Sequence, residues 1–245
     1  MASEKVAFIT GGNKGIGLET ARQLGKLGIK VVIGARDLAK GKEAVAKLKA
    51  DGVTAEVVRF DITKASDYKE VYKYLDQHFG KLDILVNNAG VSKENFLGGN
   101  QTSSTSATLL HETFDTNFFG AVELTQVLLP LIKKAPAGRI VNLSSILGSI
   151  SLHADPKSPI YDAKAFAYDA SKAALNSFTV HLAHELKGTK IKVNSAHPGW
   201  VKTDMGGEQA PLDIVTGAKT SVKLATLPDD GPTGAYIHLD QTLPW

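Results

Sequence analysis

Short apolar runs alternate with longer amphipathic segments along nearly the whole chain. VAFIT (6–10), VVIGA (31–35), AEVVRF (55–60), LDILVN (82–87), RIVNLS (139–144) and IKVNSAH (191–197) are almost continuously apolar or β-branched. A half-buried strand alternates apolar and polar residues, whereas an unbroken apolar run suits a strand covered on both faces, as in a parallel sheet. Between these runs, GIGLETARQLGKLG, DLAKGKEAVAKLKADG, SDYKEVYKYLDQHFG, TLLHETFDTNFFGAVELTQVLLPLIKK and KAALNSFTVHLAHELKG carry helical spacing, and several stop at glycine. Strand and helix repeated in this way predict an α/β fold, a doubly wound parallel sheet with helices on both faces. A final strand is expected at 235–239. The segment 93–106, KENFLGGNQTSSTS, is the one long loop-like stretch, and GGNQTSSTS within it has the composition of a mobile loop. No linker, charge block or shift in composition divides the chain, so residues 1–245 are expected to form a single domain.

Composition changes this picture mainly by exclusion. The chain is 43% hydrophobic and 22% charged, a globular balance, and its net charge of +3 is too small to point to nucleic acid or an anionic membrane as the main partner. There is no cysteine, hence no disulfide, thiol nucleophile or thiolate metal site. No apolar run approaches the roughly 18 residues of a membrane span. Strand-forming residues begin so soon after Met1 that no signal or transit peptide fits ahead of them, and a cytoplasmic location is expected. Sequons occur at Asn100 and Asn142; the second falls in an expected buried strand, and both are read as chance. His181 and His184 share a helix face without a third ligand at recognisable spacing, so no metal is expected.

Chemistry enters at TGGNKGIG (10–17), between the first strand and the first helix. Its glycines permit a tight turn, close backbone approach to a phosphate and close helix packing. The helix start beyond them offers unpaired N–H groups and a positive dipole end to a pyrophosphate. No Gly-Lys-Ser/Thr closes the turn, which excludes a Walker A loop. The second strand ends VVIGARD. In dinucleotide folds a carboxylate at that end takes the ribose 2′-hydroxyl; here the position is Ala35, followed by Arg36. Arg36, with Lys14 in the turn as a second cation, favours the 2′-phosphate of NADP(H). The alternative is that Asp37 takes the sugar and Arg36 is an ordinary surface residue.

SPIYDAKAFAYDASKAAL (158–175) carries Tyr161 and Tyr168 seven residues apart, nearly two helical turns, which predicts both on one helix face. Tyr168 has Lys172 four residues later on its own face, where Tyr161 has Ala165. Lys164, four residues before Tyr168, points away if the stretch is helical, because helical side chains lean toward the N-terminus. A phenol is a poor proton shuttle at neutral pH, and a nearby ammonium is expected to lower its pKa. Tyr168 is therefore the candidate proton donor, and Tyr161 a pocket or packing residue.

The spacing Thr-Gly-x-x-x-Gly-x-Gly at 10–17, NNAG (87–90), TNFFG (116–120), GRIVNLSS (138–145), YDASK (168–172) and PGWVKTDM (198–205) together resemble the short-chain dehydrogenase/reductase family, and most closely its NADPH-dependent carbonyl reductase branch. That resemblance implies a Rossmann-type fold and NADPH/NADP as cofactor. It places Gly11, Asn13, Lys14, Gly15, Ile16 and Gly17 around the phosphates, Asp61 and Ile62 at the adenine, and Asn88, Ala89 and Gly90 along the cofactor. Pro198, Gly199, Val201 and Thr203 would border the nicotinamide, with Thr203 on its carboxamide. Ser145 would polarise a carbonyl, a choice that strand alternation supports because Ser144 and Ser145 face opposite ways. Tyr168 would donate the proton and Lys172 would hold the nicotinamide ribose. Asn117 would help hold a water that relays protons, while hydride passes from the B face of NADPH.

The implied partner is a small carbonyl compound, apolar or aromatic if Phe96, Tyr161, Trp200 and Met205 line its pocket; each is equally a packing candidate. Residues 206–228 are expected to form a substrate lid and a helix. The segment between Ser145 and Tyr168 is longer than in the family's commoner arrangement, which leans toward a monomer. Alcohol oxidation or epimerisation on the same machinery, and a non-catalytic NADP-sensing protein, remain as alternatives.

Overall fold

The computed structural model describes residues 4–96 and 98–245. Seven strands form one parallel sheet: β1 (Val6–Thr10), β2 (Lys30–Ala35), β3 (Ala55–Arg59), β4 (Ile84–Asn87), β5 (Arg139–Leu143), β6 (Lys192–Ala196) and β7 (Tyr236–His238). A short β8 (Gln241–Thr242) turns back antiparallel on β7, an addition that the apolar pattern did not signal because both its residues are exposed. The order β3-β2-β1-β4-β5-β6-β7-β8 reverses direction at the β1/β4 neighbour pair, which is the doubly wound topology.

The unbroken apolar runs are explained by two cores, one on each face. Phe8, Val32, Leu85, Ile140 and Val193 point to the face covered by α3 (Ala65–Phe79), α5 (Gly120–Lys134) and α7 (Phe166–Glu185). Ala7, Ile9, Val31, Ile33, Val86 and Val141 point to the other, under α1 (Gly15–Lys26), α2 (Leu38–Ala50) and α8 (Ile214–Ala225). Successive residues of one strand thus feed opposite cores. The expected helix across 108–134 is a composite: α4 (Ala107–Phe114), one wide π turn at Asp115–Phe119, then α5.

The helix starts are not alike. Asp37 caps α2, Ser106 caps α4 and Asp213 caps α8, each side chain accepting first-turn N–H groups. The residues before α1 and α7, Lys14 and Ala165, make no such hydrogen bond. Between Ser145 and α7 the chain forms a tight turn at Ile146–Gly148 and the short α6 (Ile150–Ala154). Among the described residues, no helix is long and apolar enough to cross a membrane.

Three expectations change here. Tyr161 lies in a turn ahead of α7, so it does not share a helix face with Tyr168. Lys164, also outside the helix, is held by the His153 ring at 3.1 Å and the His153 carbonyl at 3.0 Å. Of the 206–228 segment expected to form a substrate lid and a helix, α8 is scaffold, burying Gly217, Ala218, Thr220, Ser221 and Leu224.

Candidate active site and cofactor cleft

A cleft of about 600 Å³ opens at the carboxyl ends of β1 to β6, across the point where the strand order reverses. This is where doubly wound sheets bind their ligands. Its wall includes Gly11, Asn13, Lys14, Gly15, Ile16 and Gly17 of the glycine turn, then Arg36, Asp61, Ile62, Asn88, Ala89 and Gly90. Tyr168, Lys172, Pro198, Thr203 and Met205 complete the part that the sequence anticipated.

The glycine turn is shaped by what sits behind it. A Cβ on Gly17 would lie 2.4 Å from Asn88 Nδ2 and 2.6 Å from the Gly11 carbonyl, so only glycine fits. Asn88 earns that proximity: its side chain donates to the Thr10 carbonyl at 2.8 Å, while the Thr10 hydroxyl accepts the N–H groups of Asn88 and Ala89 at 2.9 Å each. Asn88 therefore fastens the turn to the end of β4. Gly15, at φ +56°, opens α1 with its first N–H groups free of any side-chain cap. A narrow glycine cradle, an uncapped helix start and Arg36 nearby fit a dinucleotide phosphate.

Two charged residues near the cleft have partners within the protein. Lys14 pairs with Asp204 at 2.6 Å across the cleft mouth, both side chains exposed. Asp37, the alternative sugar ligand, spends its carboxylate on the N–H groups of Ala39 and Lys40. Asp61 sits at the wall with its carboxylate accepting from the N–H and hydroxyl of Thr63. Val201 is buried and bridges to Leu212, and Gly199 packs against Leu212 and His238, so neither lines the cleft.

At the inner end, β5 runs out into Ser145 and α7 brings Tyr168 and Lys172 against it. The Ser145 hydroxyl is close enough to the Tyr168 phenol to act on its pKa. Lys172 Nζ lies 5.6 Å from the centre of the Tyr168 ring and donates to the Leu143 carbonyl at 2.8 Å. Burial dominates both groups. It pushes the Tyr168 phenol up to about 12, against the Ser145 hydroxyl that lowers it, and draws the Lys172 ammonium down to about 8. The expected lowering of the phenol by its lysine is thus overridden in the folded chain, and Tyr168 is protonated at neutral pH.

Asn117 sits in the π turn, a helix distortion frequent at functional sites. Both hydrogens of its amide are committed, to the Val91 carbonyl at 2.9 Å and the Ser171 hydroxyl at 3.0 Å, and its oxygen accepts the Val91 N–H at 2.8 Å. A Cβ on Gly90 would meet Asn117 Oδ1 at 3.4 Å and Lys172 Nζ at 3.5 Å, so the chain after β4, the π turn and α7 converge tightly.

Of the pocket candidates, Met205 lines the cleft and Phe96 packs edge-to-face on Tyr168, with ring centres 5.1 Å apart. Tyr161 is exposed under the Lys164 ammonium, and Trp200 is exposed with its indole N–H on the Gly206 carbonyl. Neither lines the cleft. Several site residues had no signal in the sequence. Tyr236 donates its phenol to the Ser145 carbonyl and stacks on Trp245, whose carbonyl accepts from Ser151. His197 accepts the Ile146 N–H at 3.1 Å; burial, then His238, hold its imidazole neutral, down to about 3. Glu94 accepts the Tyr168 N–H at 2.9 Å. Within GGNQTSSTS, the run expected to be a mobile loop, the Asn100 amide donates to the Lys164 carbonyl at 2.7 Å, just ahead of α7.

Comparison with known proteins agrees with this architecture. Residues 5–212 match the family described as short chain dehydrogenase. Human carbonyl reductase [NADPH] 1 is 34% identical, over 98% of this chain and 98% of its own length. Among solved structures, salutaridine reductase from Papaver somniferum superposes with a TM-score of 0.82 at 32% identity, over 95% of this chain and 99% of its own. An NADPH-bound carbonyl reductase from chicken fatty liver gives 0.84 at 26% identity, over 99% of both chains. With its fold, its cleft and a family match across most of its length, the chain belongs to the short-chain dehydrogenase/reductase family.

Proposed function

We propose that this protein is an NADPH-dependent carbonyl reductase, a single domain in which Tyr168 is the general acid. The observation that carries the reading is the meeting of the Ser145 hydroxyl, the Tyr168 phenol and the Lys172 ammonium at the inner end of a dinucleotide-sized cleft. NADPH, when bound, supplies hydride to the carbonyl carbon. Gly11 to Gly17 and the first N–H groups of α1 hold its phosphates. Arg36 pairs the 2′-phosphate, a role supported by the commitment of Asp37 to capping α2.

Negative charge develops on the substrate oxygen during reduction. Ser145 donates a hydrogen bond where that charge appears, so its contribution falls mainly on the transition state. Tyr168 gives up its proton to the same oxygen. Lys172, drawn down only to about 8, is still largely charged at neutral pH and stabilises the phenolate that remains. Asn117 keeps the Val91 backbone and the Ser171 hydroxyl in place, and by family resemblance completes the proton path. Phe96 and Met205 give the substrate an apolar wall, which favours an apolar or aromatic ketone, aldehyde or quinone. Several relatives are named for carbonyl reduction, which favours that direction over alcohol oxidation. The protein is expected to act in the cytoplasm, and the long segment between Ser145 and Tyr168 favours a monomer.

The test is loss of reduced-nicotinamide absorbance with a panel of quinones, aromatic ketones, aldehydes and sugars, with NADPH and NADH run in parallel. Turnover that prefers NADPH is expected. Equal use of NADH would remove the role given to Arg36. Cofactor binding without turnover in either direction would make the protein an NADP sensor.

A further inference from the structure

Tyr168 is the third residue of α7, so its N–H is one of those that a helix cannot satisfy from within. The usual acceptor is the side chain just before the helix, but that residue is Ala165. Asp169 folds back to take the Ala165 N–H at 2.9 Å, which leaves the Tyr168 N–H unserved locally. Glu94, 74 residues earlier in the chain and just beyond β4, takes it at 2.9 Å. A carboxylate there also faces the positive end of the helix dipole.

The same segment meets the α7 start at two further points. Phe96 sets its ring edge-to-face on the Tyr168 ring, at 5.1 Å and 75°. The Asn100 amide donates to the Lys164 carbonyl at 2.7 Å and to the Asn95 carbonyl at 2.6 Å, closing the segment on itself and onto the chain entering α7. At its other flank, Lys93 is ion-paired with Glu112 of α4. Backbone cap and ring contact hold the loop to Tyr168, and the amide clamp holds it to Lys164, on the chain entering α7.

We propose that Glu94 is a positioning residue: it caps the catalytic helix from the loop after β4 and so fixes the Tyr168 phenol and the Phe96 wall in one arrangement. The inference rests on the reading of Tyr168 as proton donor. Because one carboxylate holds both, loosening it changes proton transfer and the discrimination between bulky and small carbonyls together.

Glu94→Ala removes the acceptor, and Glu94→Gln keeps a neutral one in the same shape. In Glu94→Ala, kcat is expected to fall about tenfold to a hundredfold, the scale of a misplaced reacting group, with the Kd for NADPH changed less than about twofold. The preference for a bulky aromatic ketone over a small one should narrow, and Glu94→Gln should recover most of kcat. Amide hydrogen exchange at Tyr168, measured without substrate, should speed up in Glu94→Ala and less so in Glu94→Gln. Wild-type kcat and unchanged exchange in Glu94→Ala would overturn the proposal. So would a Gln variant as impaired as Ala, since that would put the effect in charge and not in the cap. If Glu94→Ala does not fold, the comparison of Gln with wild type decides through the same exchange. Should the wild type reduce no carbonyl, the functional reading falls, and Tyr168 exchange still shows whether Glu94 caps the helix.

Discussion

The starts of α1 and α7 pose one physical problem and solve it in opposite ways. Both helices open at the cleft, and both follow a residue whose side chain caps nothing. At α1 the free N–H groups are left facing a glycine cradle, where a phosphate can take them. At α7 they are taken by the protein itself, by Asp169 from within the helix and by Glu94 from a distant loop. On the function proposed above, the open helix start is left for a ligand, and the closed one holds a side chain still for proton transfer. Cofactor affinity should therefore depend on α1, and turnover on what surrounds α7.

The largest expected effect on the cofactor side of this division is at Gly17. An alanine methyl would press on Asn88 and the Gly11 carbonyl, an overpacking worth about 1–3 kcal/mol. Gly17→Ala should raise the NADPH Kd by about tenfold to a hundredfold in titration, with kcat at saturating cofactor little changed. A variant that bound normally but turned over slowly would contradict the division. On the catalytic side, Tyr236→Phe removes the phenol that holds the Ser145 carbonyl. One such hydrogen bond contributes about 1 kcal/mol. The variant should keep its NADPH Kd and lose about fivefold to tenfold in kcat, at the scale of that energy. A shift in Kd alone would place Tyr236 with the cofactor instead.

The smallest effect concerns the buried Asp169 carboxyl. Burial pushes it up to about 7, helped by Glu94 and opposed by the Ala165 N–H and Lys164, with His153 at 3.3 Å on its other side. The unfolded carboxyl titrates near 3.9, so the folded chain binds the extra proton between about pH 4 and 7, and stability from this group is lost as pH rises through that window. Asp169→Asn does not titrate and can still accept the Ala165 N–H. Its melting temperature relative to wild type should rise from about pH 4 to pH 7 and then level off, as thermal denaturation across pH would show. A constant difference would mean that Asp169 is charged throughout.

The same comparison explains what could be read from the sequence. The apolar runs of β1 to β6 and the glycine turn are local patterns, and a parallel sheet with a phosphate-binding turn has to write them locally. Tyr168, Lys172 and Ser145 stood out through spacing and family resemblance. Glu94, His197 and Tyr236 did not, because each acts on a backbone atom far away in sequence: Tyr168, Ile146 and Ser145. Nothing in KENF or AYIHL announces that. Tyr161 was misplaced because two tyrosines at helical spacing look alike until the helix start is known, and Ala165 gives no capping signal to mark it. Charge and family resemblance put Lys14 at the cleft, but neither announces its partner Asp204, which comes from the loop after β6.

The most direct test of the account is Tyr168→Phe, assayed for NADPH binding by fluorescence titration and for turnover at saturating cofactor with the best carbonyl substrate. The account predicts an NADPH Kd close to wild type and a kcat lowered by about 10²–10⁴-fold, the usual contribution of a general acid. A phenylalanine variant that turns over at the wild-type rate would contradict it.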